Sequence, residues 1–206
     1  QAGTDTVSFL INTAPGAPGI SLSPAEPTTL DDIVLTIDTD ADDPDRDASA
    51  LTYTIAWLQS GEDVEGLEGD TVSADLTTRG DLWVAVVTPW DGLNEGAPAT
   101  AEVTIVNSAP TCALAELTPA QGETNTVFSC ACAERDDADG DDPVDTCVFS
   151  SDDGAVEETV DAVDGECQLD PVLTAKGMVL TCAYTPGDGE AEGDAVDTEG
   201  DNVVNT

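Results

Sequence analysis

The chain contains an internal repeat, and this repeat constrains the fold more than any other feature of the sequence. The segment LTTRG at 76–80 recurs as LTAKG at 173–177, and TPWDG at 88–92 recurs as TPGDG at 185–189, both 97 residues later. LSPA, which begins at Leu22, returns as LTPA at an offset of 95. Matched blocks in the same order indicate two copies of one structural unit.

A short element containing asparagine and proline marks the junction between the copies. INTAP at 11–15 recurs as VNSAP at 106–110, and the chain ends in VNT. Proline makes such a linker stiff. We therefore expect one repeat over residues 14–108 and a second over residues 109–206. Residues 1–13 are predicted to form an N-terminal strand, which either closes an upstream repeat or is donated to a neighbouring subunit.

Apolar and polar residues alternate within each repeat, and turn residues separate the alternating segments. The first repeat shows this period of two at 33–37, 53–57, 83–87 and 101–105. Such a period predicts strands with one buried face. About seven short strands in roughly 95 residues is typical of an immunoglobulin-like β-sandwich. The predicted fold is all-β, with two tandem immunoglobulin-like domains in a rod.

The order of motifs in the first repeat resembles that of a known group of proteins. LTYTIAW begins at residue 51, GDLW at 80, VTPWDG at 87 and VTIVN at 103. This order is similar to the PKD-like and cadherin-like repeats of large secreted bacterial surface proteins. The resemblance covers nearly all of the first repeat and the second more loosely. It implies a spacer or adhesive stalk in which metal ions often stiffen the joints.

All the cysteines lie in the second repeat. An even number of cysteines in a chain without histidine indicates disulfides rather than a zinc site, and hence an oxidising, extracellular location. Alignment of the repeats places Cys130 at the position of Leu35 and Cys182 at that of Ala85, on strands that face each other across a sandwich. Cys130 and Cys182 should therefore form the bridge between the sheets. The remaining cysteines pair as Cys112–Cys132 with Cys147–Cys167, or alternatively as Cys132–Cys147 with Cys112–Cys167.

The charge of the chain is extremely negative. Acidic side chains number 44 against 4 basic ones, and the net charge is -40. Such a chain repels nucleic acid and anionic lipid, and the sequence contains no apolar run long enough for a transmembrane helix. We expect neither nucleic acid binding nor membrane insertion. Cations are the partners that this charge attracts.

Many of the aspartates cluster between the second and third predicted strands of each repeat. Calcium takes six to eight oxygen ligands from such loops. The sequence therefore predicts calcium sites in these loops, at one end of each sandwich, although a solvated acidic surface also explains the clusters. The turn after the sixth strand lies at the same end and adds one aspartate in each repeat. The predicted ligands are Asp38, Asp40, Asp42, Asp43, Asp45, Asp47 and Asp91 in the first repeat, and Asp136, Asp137, Asp139, Asp141, Asp142, Asp145 and Asp188 in the second.

Two further segments suggest contacts with partners. Trp90 lies in a predicted turn, where it packs against a neighbouring repeat or stacks on a sugar. The N-terminal strand is apolar on both faces, with Val7, Phe9, Leu10 and Ile11. Our hypothesis is that it adds to a sheet of an adjacent copy and gives head-to-tail filaments. The alternative is that it closes an upstream repeat.

The sequence offers no catalytic constellation that depends on histidine, because the chain contains none. Carboxylate pairs are abundant, but they lie in polar loops without an apolar pocket to raise the pKa of one member. We therefore expect a structural or adhesive module of an extracellular surface protein, a stalk or filament subunit stiffened by calcium, and not an enzyme. The alternative is a module that binds a glycan or a cell-surface partner, or one that is accessory to a secreted hydrolase.

Overall fold

The chain folds into two units in a computed structural model that describes residues 11–45, 51–198 and 202–205. The first unit extends to Val106 and the second begins at Asn107. The division lies two residues before the predicted end of the first repeat. Each unit is a β-sandwich of its own, so the all-β fold class predicted from the alternating pattern is confirmed. None of the described residues belongs to a helix long and apolar enough to cross a membrane.

The first unit consists of short strands that form two sheets. One sheet has the order β1-β2-β5 and the other the order β4-β3-β6-β7, with antiparallel neighbours throughout. A 3-10 helix, Ala74–Leu76, precedes β6. The strands are β1 (Gly19–Ser23), β2 (Ile33–Thr39), β3 (Thr52–Gln59), β4 (Glu62–Asp63), β5 (Thr71–Val72), β6 (Leu82–Trp90) and β7 (Ala99–Thr104).

The core of the first unit follows the predicted alternation. In β6, Trp83, Ala85 and Val87 are fully buried, while the residues between them are partly exposed. Trp57 of β3 packs edge-on against Trp83, with ring centroids 6.4 Å apart. Burial of such large side chains supplies most of the free energy that stabilises a sandwich without disulfides.

The second unit repeats this architecture with more strands. Its sheets have the orders β15-β11-β9, β12-β8 and β10-β18-β16-β13-β14, and β17 pairs with β16. A 3-10 helix, Pro171–Leu173, precedes β16. The strands are β8 (Thr111–Cys112), β9 (Ala115–Thr118), β10 (Gln121–Glu123), β11 (Phe128–Cys132), β12 (Arg135–Asp136), β13 (Thr146–Ser151), β14 (Glu157–Asp161), β15 (Glu166–Leu169), β16 (Val179–Thr185), β17 (Val196–Asp197) and β18 (Asn202–Asn205).

The strand registers show which residues of the two units are equivalent. Leu35 faces Leu22 across β2 and β1, and Cys130 faces Leu117 across β11 and β9. Likewise, Ala85 of β6 faces Trp57, whereas Cys182 of β16 faces Phe149. Cys130 and Cys182 therefore occupy the positions that the sequence alignment predicted for them.

Three disulfides cross-link the second unit: Cys112–Cys132, Cys130–Cys182 and Cys147–Cys167. This is the first of the two sets that the sequence allowed. Cys130 and Cys167 are neighbours across β11 and β15, while their partners lie on β16 and β13 of the opposite sheet. Two adjacent disulfides thus join the sheets where the first unit has tryptophan packing.

A glycine in each unit allows the first residues of the repeat to pack closely against the loop that follows β6 in the first unit and β16 in the second. A Cβ atom at Gly193 would lie 2.0 Å from the carbonyl oxygen of Pro110, and one at Gly96 would lie 2.5 Å from that of Pro15. Real Cβ atoms do not approach oxygen this closely, so only glycine fits at either position. Glu95-Gly96 recurs in the sequence as Glu192-Gly193, 97 residues later, and this contact accounts for the recurrence of the glycine.

Candidate metal centres

In the first unit, loop aspartates after β2 bind the start of the repeat. Asp43 Oδ1 accepts a hydrogen bond of 2.9 Å from the backbone N–H of Asp45, and Asp45 Oδ2 accepts one of 2.6 Å from that of Thr13. Asp43 is 6% exposed, and its Oδ2 atom is buried without a hydrogen-bond partner among the residues that the structure describes. A buried carboxylate oxygen without a donor is costly unless a cation or water contacts it.

Asp91 anchors the residue before Thr13. Its Oδ1 accepts hydrogen bonds from the backbone N–H groups of Leu93 (2.6 Å) and Asn94 (2.7 Å), which closes the turn after β6. Its Oδ2 accepts a hydrogen bond of 2.7 Å from Nδ2 of Asn12. The fully buried Asp91 thus holds the linker asparagine, while Asp45 holds the next residue.

The second unit contains the same arrangement. Asp137 Oδ1 accepts a hydrogen bond of 3.0 Å from the backbone N–H of Asp139, and Asp139 Oδ2 accepts one of 2.6 Å from that of Ser108. Asp188 Oδ2 accepts a hydrogen bond of 2.7 Å from Nδ2 of Asn107. Residues 42–47 (DDPDRD) match residues 136–141 (DDADGD), with every other residue of the motif an aspartate.

In the second unit, two buried oxygen atoms lack a hydrogen-bond partner among the described residues: Oδ2 of Asp137 and Oδ1 of Asn107. The side chain of Asp137 is 4% exposed. The Asn107 amide cannot be reversed, because its oxygen would then face the Asp188 carboxylate. Carboxylate oxygens of Asp137, Asp139 and Asp141 lie within 4.8 Å of one another. Carboxylate and amide oxygens are ligands that calcium prefers.

The other predicted ligands have different surroundings. Asp38 lies in β2 rather than in the loop, Asp40 accepts a hydrogen bond of 3.3 Å from the Tyr53 hydroxyl, and Asp136 lies in β12. Asp42 and Asp142 are exposed. Asp47 lies outside the described residues. Asp91 and Asp188 lie at the predicted end of each sandwich. One carboxylate oxygen of each accepts hydrogen bonds from the backbone of its own turn, and the other accepts one from a linker asparagine.

Asp145, another predicted metal ligand, lies in a buried network in which both of its carboxylate oxygens accept hydrogen bonds. Asp145 is 3% exposed and takes the register position of Tyr53. Its Oδ1 accepts hydrogen bonds from Nε of Arg135 (3.3 Å) and from the backbone N–H of Gly187 (2.9 Å), and its Oδ2 accepts one from the Tyr184 hydroxyl. Burial, together with this bond, raises the pKa of Tyr184, which therefore remains a proton donor. Asp145 belongs to a buried polar network.

Sequence reasoning missed the linker asparagines as members of these sites. Asn12 and Asn107 recur at an offset of 95, which was interpreted only as a junction signal. Arg135 was also missed, although it is one of two basic residues in the second unit. The asparagines could not be assigned without the tertiary contacts to Asp91 and Asp188, which lie 79 and 81 positions away. The role of Arg135 depends on its contacts with Asp145 and Gly187, which lie 10 and 52 positions away.

Trp90 lies at the end of β6 and not in the turn that was predicted. It pairs with Thr52 of β3 and is 38% exposed. Its counterpart is Gly187, where a Cβ atom would lie 2.5 Å from the Val144 carbonyl oxygen. The second unit therefore has no room for a tryptophan at this position.

The predicted assembly strand falls almost entirely outside the described residues, which include neither Val7, Phe9 nor Leu10. Ile11 is described, does not belong to a strand and is 80% exposed. Donation of this strand to an adjacent copy stays a prediction.

No protein-family model matches the chain, and no curated protein matches it. Among solved structures, a two-domain fibronectin type-III segment of chicken tenascin is 13% identical, with a TM-score of 0.42, over 93% of this chain and 100% of that one. The FN1–FN3 domains of chicken CNTN1 are also 13% identical, with a TM-score of 0.39, over 93% of this chain and 67% of theirs. The all-β fold class follows from the sheets of the chain itself.

Proposed function

We propose that this chain is a structural, non-catalytic module of a secreted surface protein, and that each of its repeats binds calcium in the aspartate loop. The observation that carries the proposal is a buried carboxylate oxygen without a hydrogen-bond donor at the same place in both loops, on Asp43 and on Asp137. Because the surroundings are otherwise well hydrogen-bonded, these atoms are suited to contact an ion.

The function of the ion would be mechanical. Asp45 and Asp139 hold the backbone at the start of each repeat, so a cation shared with Asp43 or Asp137 would fix that segment to the loop. In the second unit, Asp139 and Asp141 have carboxylate oxygens within 4.8 Å of that of Asp137 and would add hard oxygen ligands. A fixed starting segment is what a load-bearing or spacing repeat needs.

The proposed extracellular location rests on the disulfides of the second unit. The second unit contains three disulfides, which persist in oxidising compartments and are rare in the cytosol. Calcium reaches millimolar concentration outside cells, the range in which extracellular modules bind it. Both observations support a secreted module that stays loaded in its working environment.

Calcium should raise the melting temperature of the chain. At a free calcium concentration 100 times the dissociation constant, linkage adds about 2.7 kcal/mol to the stability of a unit, a shift of roughly 10–20 °C. Calorimetry with calcium, and with chelator at equal ionic strength, measures this shift. An equal shift with magnesium or sodium would show simple charge screening and contradict the proposal.

A matched pair of variants tests whether the calcium-dependent rise in melting temperature comes from the aspartate loop of the second unit. Asp137→Asn keeps an oxygen that can accept the Asp139 N–H but removes a charged ligand, and it should abolish the shift of the second unit. Asp142→Asn makes the same charge change on an exposed residue of the same loop, and it should leave the shift intact.

A glycan-binding role is a second candidate, favoured by the exposed ring of Trp90. Aromatic faces at a sandwich surface suit stacking on sugars. Binding to a glycan array that is lost in Trp90→Ala, while calcium binding persists, would support this role. No binding to any glycan by the wild-type chain would contradict it.

A further inference from the structure

Arg135 connects the aspartate loop of the second unit to the buried network below it. Its Nε donates a hydrogen bond of 3.3 Å to Asp145 Oδ1, and its Nη2 donates one of 2.9 Å to the carbonyl oxygen of Gly187. The same Nη2 atom lies 3.5 Å from Asp137 Oδ2. Asp145 and Gly187 therefore hold the guanidinium in place, and its positive charge lies next to Asp137 of the aspartate loop.

The contact with Arg135 partly neutralises the negative charge of Asp137, but it does not give Asp137 Oδ2 a hydrogen-bond donor. At 3.5 Å the ion pair is too long and too poorly aligned to count as a hydrogen bond, and Asp137 Oδ2 accordingly has no donor. Both side chains are mostly buried, at 20% and 4% exposure, so the attraction is only partly screened by solvent. Arg135 thus supplies part of the positive charge that a bound cation would supply in full.

We propose that Arg135 is a built-in counter-ion that weakens calcium binding at the second loop. The inference rests on the proposed function, because it concerns the same site. A calcium ion bound to Asp137 Oδ2 lies within a few ångströms of a guanidinium that Asp145 and Gly187 hold in place. The two cations repel each other, and the repulsion lowers the affinity of the loop.

This arrangement makes the second unit less dependent on calcium for its structure. With Arg135 near Asp137, the clustered carboxylates are partly neutralised before any metal binds, and the loop fills only at higher calcium concentration. The equivalent position in the first unit is Ala41, an uncharged residue whose backbone N–H donates a hydrogen bond of 2.9 Å to the Tyr53 hydroxyl. The first unit therefore has no counter-ion at this position.

The test is a calcium titration of the full chain followed by amide NMR. The Gly140 N–H, which donates to Asp137 Oδ1 at 3.2 Å, reports on the second loop, and the Asp45 N–H reports on the first. Arg135→Met should bind calcium at the second loop at least about tenfold more tightly than the wild-type chain, with the first loop unchanged. Lys176→Met removes the same charge from an exposed position of the second unit and should change the affinity little.

A second pair of variants keeps the test valid if Arg135→Met misfolds with Asp145 left unpaired. Arg135→Met combined with Asp145→Asn removes both charges of the buried pair, and its affinity is compared with that of Asp145→Asn alone. Tighter binding in the double variant supports the inference, whereas equal or weaker binding overturns it. If the Gly140 and Asp45 signals respond to calcium in no variant, the proposed calcium site itself is wrong.

Discussion

Replacing Cys130 and Cys182 by alanine should lower the free energy of unfolding of the second unit by about 4 kcal/mol, the loop-entropy value for a bridge across some 50 residues. The disulfide joins residues 52 positions apart and links the two sheets. Both sulfur atoms are buried, so alanine also leaves unfilled space in the core. The adjacent Cys147–Cys167 bridge joins the same sheets, and we expect it to keep the variant folded at low temperature.

The first unit provides an internal control for this experiment. All the tryptophans of the chain lie in it, so urea unfolding followed by tryptophan fluorescence reports on the unit without cysteines. The circular dichroism transition of the second unit should move to lower urea, while the fluorescence transition stays in place. A shift of the fluorescence transition by the same amount would mean that the units do not unfold independently.

Asp145→Ala should destabilise the second unit by about 3 kcal/mol, because it removes one partner of a buried ion pair and leaves Arg135 with only its long contact to Asp137. Three donors lose their acceptor: the Tyr184 hydroxyl, the Gly187 N–H and Nε of Arg135. The side chain of Asp145 is 1% exposed, so water cannot replace the lost contacts without opening the core.

Tyr184→Phe is the matched control for this variant. It removes one hydroxyl from the network but leaves the carboxylate with its two remaining donors, so the loss should be about 1 kcal/mol. Chemical denaturation of both variants in parallel gives the comparison. Equal losses in the two variants would show that the Arg135–Asp145 pair contributes little, and that the hydroxyl accounts for the whole effect.

Much of the fold could be predicted because it depends on local patterns. Alternation places Ile33 and Leu35 in a strand with one buried face, and alignment of the repeats places Cys130 opposite Cys182. Both inferences need only the period of a strand and the layout of a sandwich. They do not require knowledge of how any loop is folded.

The candidate sites were harder to predict, since neighbouring aspartates look alike in the sequence. Asp142 and Asp145 are three residues apart, yet one is exposed and the other lies in a core network. The difference comes from Arg135 and Tyr184, which reach Asp145 from distant positions. Likewise, the role of Asn107 depends on Asp188, which lies 81 residues further along the chain.

The anchored asparagine also bears on how such a chain can evolve. Asn12 and Asn107 each open a segment whose binding partners lie later in the same unit, at Asp91 and Asp188. A gene segment that begins at this asparagine therefore encodes both halves of the contact. Duplication or shuffling at that boundary would copy a self-sufficient module, whereas a breakpoint a few codons downstream would separate the anchor from its partner. Recombination at that boundary would leave the contacts of each loop intact.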